Sequence, residues 1–295
     1  MTPLSPQPVP LGKSGLTVSP IAWGMWRFAG DDVRAAQARV EAALEAGIDL
    51  FDTADIYGPD NGEAFGAAEA LLGRVFRAAP QLRGGMVLAT KGGIIPGVPY
   101  DSSATYLAAA LDASLRRLGV EQVDLWQVHR PDLLTHPADL ADTLAAMVSS
   151  GKTRAVGVSN FSVAEVRALQ AHLPFPLATI QPEFSAWHST PIWDGVLHQA
   201  MELDLAVLAW SPLGRGAVSQ ESSVSALLQA KADASGVSRS AAAYAWIMAH
   251  PARPIPIVGS QQPDRIREAK GAFAVSWTRA EWYAVLEAST GQKLP

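Results

Sequence analysis

At residues 51–58 the sequence reads FDTADIYG, and it follows the short, mostly apolar run 48–51. The run predicts a buried strand that turns polar at once, with the carboxylate of Asp52 and the phenol of Tyr57 five residues apart. In a barrel of alternating strands and helices, the carboxyl ends of the strands carry the active site. Taken alone, the segment is equally compatible with a loop in which Asp52 caps the next helix and Tyr57 packs.

The same change from apolar to polar residues recurs along the chain. Predicted strands cover residues 19–23, 48–51, 86–90, 123–128, 154–158, 178–180, 206–209 and 255–258. Helical spacing of apolar residues, often ended by Gly, predicts helices over 31–46, 62–78, 102–118, 137–150, 162–172, 192–203, 222–235, 238–249, 263–271 and 278–289. Eight strands alternating with helices predict one (β/α)8 TIM barrel domain over residues 1–295, with an N-terminal β-hairpin at 9–18 and an extra C-terminal helix.

A doubly wound parallel sheet is the alternative fold. Such a sheet usually carries a GxGxxG turn after its first strand, and the run Gly24-Met-Trp-Arg27 does not supply one. The predicted strands are continuous apolar runs, as in a parallel sheet that is covered on both faces. The barrel is therefore favoured.

Composition excludes several classes of protein. The chain has 295 residues, a net charge of −5 and no block of Lys or Arg, which disfavours a nucleic-acid binder. It has no Cys, so disulfides and thiolate chemistry are excluded. Of six His, only His129 ends a predicted strand, and a metal site is not expected. No apolar run approaches the ~20 residues of a membrane helix and no signal-peptide pattern opens the chain, so a cytoplasmic protein is expected.

Polar side chains directly follow successive predicted strands. Asp52, Lys91, His129 and Asn160 come after the second to fifth strands. Because a buried charge needs a partner and barrel strands end at one shared mouth, we expect these side chains to interact. The purely structural alternative is a buried Asp–Lys ion pair beside a core His and a packed Tyr.

These strand ends resemble, in order and over nearly the whole chain, the motifs of the aldo-keto reductase superfamily. The matching segments are FDTADIYG at 51–58, TKGG at 90–93, VHRPD at 128–132, GVSN at 157–160, WSPLGRG at 210–216 and PIVGS at 256–260, with Arg265 behind the last. The resemblance implies an NAD(P)H-dependent carbonyl reductase. Its catalytic tetrad falls on Asp52, Tyr57, Lys91 and His129.

The residue types of this tetrad suit carbonyl reduction, which adds a hydride to carbon and a proton to oxygen. A phenol with the ordinary pKa of about 10 is a poor acid at neutral pH, and a nearby ammonium is expected to lower that pKa. Tyr57 is therefore expected to be the general acid, Lys91 to tune it, and Asp52 to hold Lys91 charged and oriented. Neutral His129 is expected to donate a hydrogen bond to the substrate oxygen.

The resemblance also implies a cofactor site along the mouth. Ser159, Asn160 and Gln181 match a nicotinamide carboxamide, and Trp210 offers a flat surface for the nicotinamide ring where most members have Tyr or Phe. Small residues after Trp210 allow backbone N–H groups to approach a pyrophosphate. The full expected set is Gly24, Met25, Trp26, Asp52, Ser159, Asn160, Gln181, Trp210, Ser211, Pro212, Leu213, Gly214, Gly216, Gly259, Ser260, Gln261, Arg265 and Glu268.

The loop after the eighth predicted strand departs from the family pattern. Many members have Lys or Arg there to bind the 2′-phosphate of NADP, whereas this chain has Gly259. Ser260 and Gln261 can donate hydrogen bonds to that phosphate, and Arg265 can stack on adenine and pair with the phosphate. Glu268 matches the carboxylate that contacts adenine in the family. NADP(H) is the expected cofactor, and NAD(H) is the alternative.

The substrate is expected to be a small aldehyde or ketone that contacts Trp26, Tyr57 and His129. The predicted pocket walls are the residues 94–100 and, after the first strand, Trp23, Met25, Trp26 and Phe28. A monomer is expected by default from the resemblance. The rival function is a cofactor-binding regulatory or channel-associated subunit with little turnover, against which the complete tetrad argues.

Overall fold

Eight parallel strands form a closed barrel in the computed structural model, which describes residues 3–294. The barrel strands are β3 (Ala22–Gly24), β4 (Leu50–Asp52), β5 (Val87–Gly92), β6 (Val123–Val128), β7 (Thr153–Ser159), β8 (Thr179–Gln181), β9 (Ala206–Ala209) and β10 (Ile255–Val258). They follow one another around the barrel in chain order, and β10 pairs with β3 to close it. The predicted fold is confirmed.

Helices connect the strands and cover the outside of the barrel. They are α1 (Val33–Glu45), α2 (Ala67–Ala78), α3 (Ala104–Leu118), α4 (Pro137–Ser149), α5 (Val163–Gln170), α6 (Thr190–Trp193), α7 (Val196–Leu203), α8 (Ser223–Ser235), α9 (Arg239–Met248), α10 (Pro263–Glu268) and α11 (Arg279–Thr290). In the described range 3–294, no helix is long and apolar enough to cross a membrane.

A two-stranded antiparallel sheet closes one end of the barrel. Its strands β1 (Val9–Pro10) and β2 (Thr17–Val18) pair in register, as the predicted hairpin requires. Gly12 in the connecting loop has φ +57°, and an added Cβ would collide with the carbonyl oxygen of Ala178, directly before β8. Only glycine fits this approach, which places the hairpin at the end where the strands begin.

Two predicted helices are shorter than expected, and glycine is the reason in both cases. The segment predicted as a helix from residue 62 becomes helical only at Ala67, because Gly62 and Gly66 adopt left-handed conformations. The predicted helix 192–203 is divided into α6 and α7 at Gly195, which has φ +91°. Both interruptions lie in sequence that otherwise has helical spacing.

The interior of the barrel is filled by one set of alternating strand residues. The interior cluster includes Ala22, Leu50, Ala89, Leu125, Ala155, Leu208, Ile255 and Ile257, together with Leu11, Leu16 and Val18 from the hairpin. The intervening residues pack under the helices and include Trp23, Phe51, Leu88, Trp126 and Val156. This alternation decides which strand-end side chains enter the mouth, since successive residues of a strand point to opposite faces.

Candidate active site

The alternation of strand residues carries polar side chains into the barrel mouth. Asp52, Lys91 and Gln127 each lie two residues after an interior apolar residue of their own strand and therefore face the interior. Ser159 and Gln181 end the next two strands and are also buried. The layer of the barrel core nearest the mouth is thus polar, and its side chains must form hydrogen bonds or ion pairs with one another.

Lys91 and Asp52 form the centre of this layer. Nζ of Lys91 donates hydrogen bonds to Oδ2 of Asp52 at 2.6 Å and to the carbonyl oxygen of Thr53 at 2.8 Å. The other carboxylate oxygen of Asp52 accepts from Nε2 of Gln181 at 3.0 Å and from Nε2 of Gln127 at 3.4 Å. The ammonium is therefore fixed beneath the mouth with its charge compensated.

Tyr57 and His129 lie above this ion pair and line the mouth. Nζ of Lys91 is 5.1 Å from the ring centroid of Tyr57, and the rings of Tyr57 and His129 meet edge to face at 5.9 Å. The turn after Tyr57 requires glycine, because a Cβ on Gly58 would collide with the carbonyl oxygen of Ala64. Three neighbouring strands, β4 to β6, thus bring the four predicted tetrad residues together at their carboxyl ends.

Electrostatics at the tetrad depend mainly on burial. The pKa of Lys91 is raised, because Asp52 and Tyr57 together outweigh the desolvation that opposes its charge. The pKa of His129 is well below its ordinary value, first because of burial and then because of the cations Lys91 and Arg130. Lys91 is therefore an ammonium, and His129 is a neutral imidazole.

The pKa of Tyr57 differs from the sequence-based expectation. Burial raises it above 10.0, and Lys91 offsets this rise only in part. The expected direction of the Lys91 effect is present, but desolvation of the phenolate is larger. Tyr57 therefore holds its proton firmly at neutral pH.

A second cluster of polar side chains, beside the tetrad, fixes the indole of Trp210. Nε1 of Trp210 donates to Oδ1 of Asn160 at 2.9 Å, and Nδ2 of Asn160 donates to Oγ of Ser159 at 2.8 Å and to the carbonyl oxygen of His129 at 3.2 Å. Oγ of Ser159 donates in turn to the carbonyl oxygen of Gln181. Asn160 has φ +62°, a left-handed conformation that Asn adopts more readily than most residues.

A cavity of about 1340 Å³ joins the tetrad to the loops after β9 and β10. Most residues predicted to bind the cofactor line it: Gly24, Trp26, Asp52, Ser159, Asn160, Gln181, Trp210, Ser211, Pro212, Leu213, Gly216, Gly259, Ser260, Gln261, Arg265 and Glu268. Met25 and Gly214 do not line it. Lys91 is fully buried and does not line the cavity.

Comparison with known proteins decides what kind of site this is. The profile of the Aldo/keto reductase family matches residues 20–289. The chain belongs to the aldo/keto reductase family. It is 53% identical to a 6-dehydroglucose reductase of Novosphingobium aromaticivorans, with 99% of each chain covered. It is 36% identical to a 6-dehydroglucose reductase of Agrobacterium fabrum, over 95% of this chain and 97% of that protein.

Solved structures agree with this membership. The glycerol dehydrogenase AKR11B4 from Gluconobacter oxydans superimposes with a TM-score of 0.84 at 27% identity, over 98% of this chain and 97% of that one. The protein is therefore an NAD(P)H-dependent oxidoreductase that acts on carbonyl compounds. The resemblance inferred from the strand-end motifs is confirmed.

The cavity of this aldo-keto reductase fits a dinucleotide. Its volume exceeds the roughly 300–1,000 Å³ of ordinary small-molecule pockets, which leaves room for a cofactor and a substrate together. A Cβ added to Gly216 or Gly259 would meet no atom within 4 Å, so the backbone is open to the cavity at both positions. Oε1 of Gln261 is buried without a hydrogen-bond partner in the described chain, which leaves one acceptor for a ligand.

Three predicted wall residues belong to the core instead. Trp23, Met25 and Phe28 are fully buried, and the Trp23 ring packs edge to face against Phe28 at 5.6 Å. Strand β3 ends at Gly24, and the chain then turns so that Trp26 alone of these aromatic residues reaches the cavity. The sequence does not distinguish the two orientations, because aromatic side chains suit cores and pockets equally well.

Several lining residues were not predicted. Arg27, Asp60, Arg130 and Arg215 surround the mouth, and residues 238–241 at the start of α9 lie at the cofactor end. Arg130 could have been found, because it directly follows His129. The α9 residues have no such signal, since they are far from any strand end. In the described residues, no group of three or more His, Asp or Glu could hold a metal ion.

Proposed function

We propose that this enzyme reduces the aldehyde of a dehydrogenated sugar, 6-dehydroglucose, to a primary alcohol with NADPH, using Tyr57 as the general acid. The geometry that carries the proposal is the compensated Lys91–Asp52 pair, 2.6 Å apart, directly beneath Tyr57 and His129. The names of the relatives at 53% and 36% identity support the substrate.

NAD(P)H, when bound, supplies the hydride that the carbonyl carbon gains. The hydroxyl of Tyr57 gives its proton to the carbonyl oxygen as that oxygen gains negative charge, which completes the alcohol. The resulting phenolate lies beside the ammonium of Lys91, and Asp52 holds that ammonium in place. Tyr57 then recovers a proton from solvent through the open mouth, so protons and electrons balance over one turnover.

His129 positions the carbonyl in this proposal. As a neutral imidazole it can donate one hydrogen bond to the substrate oxygen without competing with Tyr57 as an acid. The edge-to-face contact of the two rings, 5.9 Å between centroids, allows both to address one oxygen atom. In this proposal the double contact is the reason why Tyr57 and His129, from different strand ends, meet at one mouth.

The preference for NADPH rests on the loop after β10. Arg265 lines the far end of the cavity with Ser260 and Gln261, and no acidic side chain of the described chain pairs with the Arg265 guanidinium within 4 Å. A free guanidinium suits a phosphate. Ser260 adds a hydroxyl donor for the same group, whereas Nε2 of Gln261 already donates to the carbonyl oxygens of Gly24 and Gly259.

The test is nicotinamide absorbance against time, with NADPH and NADH separately, for wild type and Tyr57→Phe on 6-dehydroglucose and simpler aldehydes. We expect carbonyl-dependent oxidation of NADPH by wild type, and a loss of about 100-fold or more in the variant, with NADPH binding retained. Retained turnover in the variant would remove Tyr57 from the acid role. If wild type binds NADPH tightly but reduces no carbonyl, the regulatory-subunit function replaces the enzyme.

A further inference from the structure

Arg130 lies partly buried at the mouth, beside the ring of Trp210. It directly follows His129 and lines the cavity. Its guanidinium lies 5.7 Å from the ring centroid of Trp210. In residues 3–294 that guanidinium makes neither an ion pair nor a hydrogen bond to another side chain or to the backbone, so its N–H donors are available to a ligand.

The other arginines at the cavity differ from it. Arg215 lies over the same indole at 5.0 Å, but it donates two hydrogen bonds to the carboxylate of Glu183 at 2.8 and 2.7 Å. Arg239 is bound to the carbonyl oxygen of Val218 at 3.0 Å. Arg27 and Arg265 are exposed to solvent, which compensates their charge. Arg130 is thus a partly buried arginine at the mouth, next to His129, whose N–H donors are bound to no other group of the described residues.

The position of Arg130 in the chain places its N–H donors near the carbonyl group that reacts. Adjacent residues are 3.8 Å apart at Cα, so the base of the Arg130 side chain lies next to that of His129. Its long side chain then reaches atoms of a substrate beyond the carbonyl group. A guanidinium has five N–H donors and no acceptor, and its natural partner at that distance is an oxygen atom of the substrate.

The side of the mouth formed by Trp26 and Asp60 carries groups that suit a neutral, hydroxylated substrate. Trp26 is 44% exposed, and its Nε1 donates to Oδ2 of Asp60 at 2.9 Å. The Asp60 carboxylate lines the same cavity and can accept hydrogen bonds from substrate hydroxyl groups. Hydroxyl groups can accept from Arg130 or donate to Asp60, and the exposed indole offers an apolar surface for the C–H face of a sugar.

We propose that Arg130 determines substrate specificity by donating hydrogen bonds to hydroxyl groups near the carbonyl, so that the enzyme selects polyhydroxylated aldehydes. The inference rests on the proposed function, because it places the carbonyl at Tyr57 and His129. It adds a residue and a chemical criterion that the catalytic tetrad does not supply.

The test compares D-glyceraldehyde with propanal, which has the same carbon chain and no hydroxyl groups. Arg130→Met keeps most of the side-chain volume and removes the donors, and Arg130→Lys restores a charge with fewer donors. Arg116→Met is the matched control, because Arg116 is exposed on α3 and does not line the cavity. We expect kcat/KM for glyceraldehyde to fall about 10- to 100-fold in Arg130→Met, with propanal unchanged and partial recovery in Arg130→Lys.

Several results would overturn the inference. Equal losses for both aldehydes would place Arg130 in the chemical step, and a matching loss of NADPH affinity in a fluorescence titration would place it at the cofactor. A wild-type preference for glyceraldehyde 3-phosphate that Arg130→Met abolishes would assign it to an anion. If wild type reduces propanal as well as glyceraldehyde, the inference fails while the reductase function stands, and if it reduces no aldehyde, both fail.

Discussion

Nζ of Lys91 lies 2.6 Å from Oδ2 of Asp52, and the two side chains are 0% and 4% exposed. Water therefore cannot replace either partner. Removal of one member of a buried ion pair leaves an uncompensated charge, whereas removal of both can be nearly neutral. This asymmetry separates the structural role of the pair from its catalytic role.

We expect Lys91→Met to lower the free energy of unfolding by about 3–5 kcal/mol, since the Asp52 carboxylate then loses its ammonium. The double variant Lys91→Met/Asp52→Asn is expected to regain most of that stability and to remain inactive, because Tyr57 has no cation beside it. Chemical denaturation and the NADPH assay measure the two properties separately. A double variant that recovers turnover together with stability would show that the pair is structural only.

The tetrad could be predicted because Asp52, Lys91 and His129 each end an apolar run. Gln127 was missed because it lies inside the apolar run 123–128, yet it donates to Asp52 and accepts from Oγ1 of Thr179 at 2.9 Å. Only the closed barrel shows that Gln127 faces the interior, as Lys91 does on the neighbouring strand. Sequence patterns locate the ends of strands well and side chains within them poorly.

Other features could not be predicted from the sequence, because they depend on how distant parts of the chain pack together. The core positions of Trp23 and Phe28 depend on how the chain turns after β3, and hydrophobicity does not encode that turn. The net rise in the pKa of Tyr57 depends on how closely the barrel encloses it. The residue types therefore predict that Lys91 lowers the pKa of Tyr57. Only the packing shows that desolvation raises this pKa by more.

The neutral state of His129 predicts a simple pH profile for reduction. Burial, Lys91 and Arg130 keep the pKa of this imidazole well below 6.5, so it does not titrate between about pH 5.5 and 7.5. The pKa of Tyr57 is raised above 10.0, so the acid stays protonated over the same interval. We expect kcat/KM with NADPH to be level there, whereas a rate that falls as pH rises through about 6.5 would require a cationic His129.

Asp55 is a buried carboxyl group next to the tetrad. It is 1% exposed, and in the described structure neither of its oxygens has a hydrogen-bond partner. Burial, followed by repulsion from Glu69, raises its pKa to about 8. The folded protein therefore retains this proton at neutral pH, while the unfolded chain, with the ordinary pKa of 3.8, releases it.

This difference predicts that Asp55 destabilises the fold increasingly as pH rises. Between about pH 4 and 8 the unfolded chain binds fewer protons at this position, so stability falls by at most about 1.4 kcal/mol per pH unit. Asp55→Asn cannot ionise and is expected to gain stability relative to wild type across that interval, with a constant difference above it. Thermal denaturation at several pH values measures the gain. Parallel curves for the two proteins would mean that Asp55 has an ordinary pKa.

The loop after β10 allows the cofactor preference to be changed in both directions. An added Cβ at Gly259 meets no atom within 4 Å, so Gly259→Arg is tolerated sterically and brings a cation to the position where family members bind the 2′-phosphate. We expect the ratio of kcat/KM for NADPH to that for NADH to rise about 10-fold or more, the effect of one hydrogen-bonded charge pair.

Arg265→Met should lower the same ratio by a similar factor, because it removes the guanidinium and keeps the length of the side chain. Arg267→Met is the matched control on the same helix, since Arg267 pairs with Glu45 at 2.8 Å and does not line the cavity. Initial rates with each cofactor at a fixed aldehyde concentration measure the ratio. Equal losses for NADPH and NADH in Arg265→Met would mean that Arg265 contacts only the adenine, which both cofactors share.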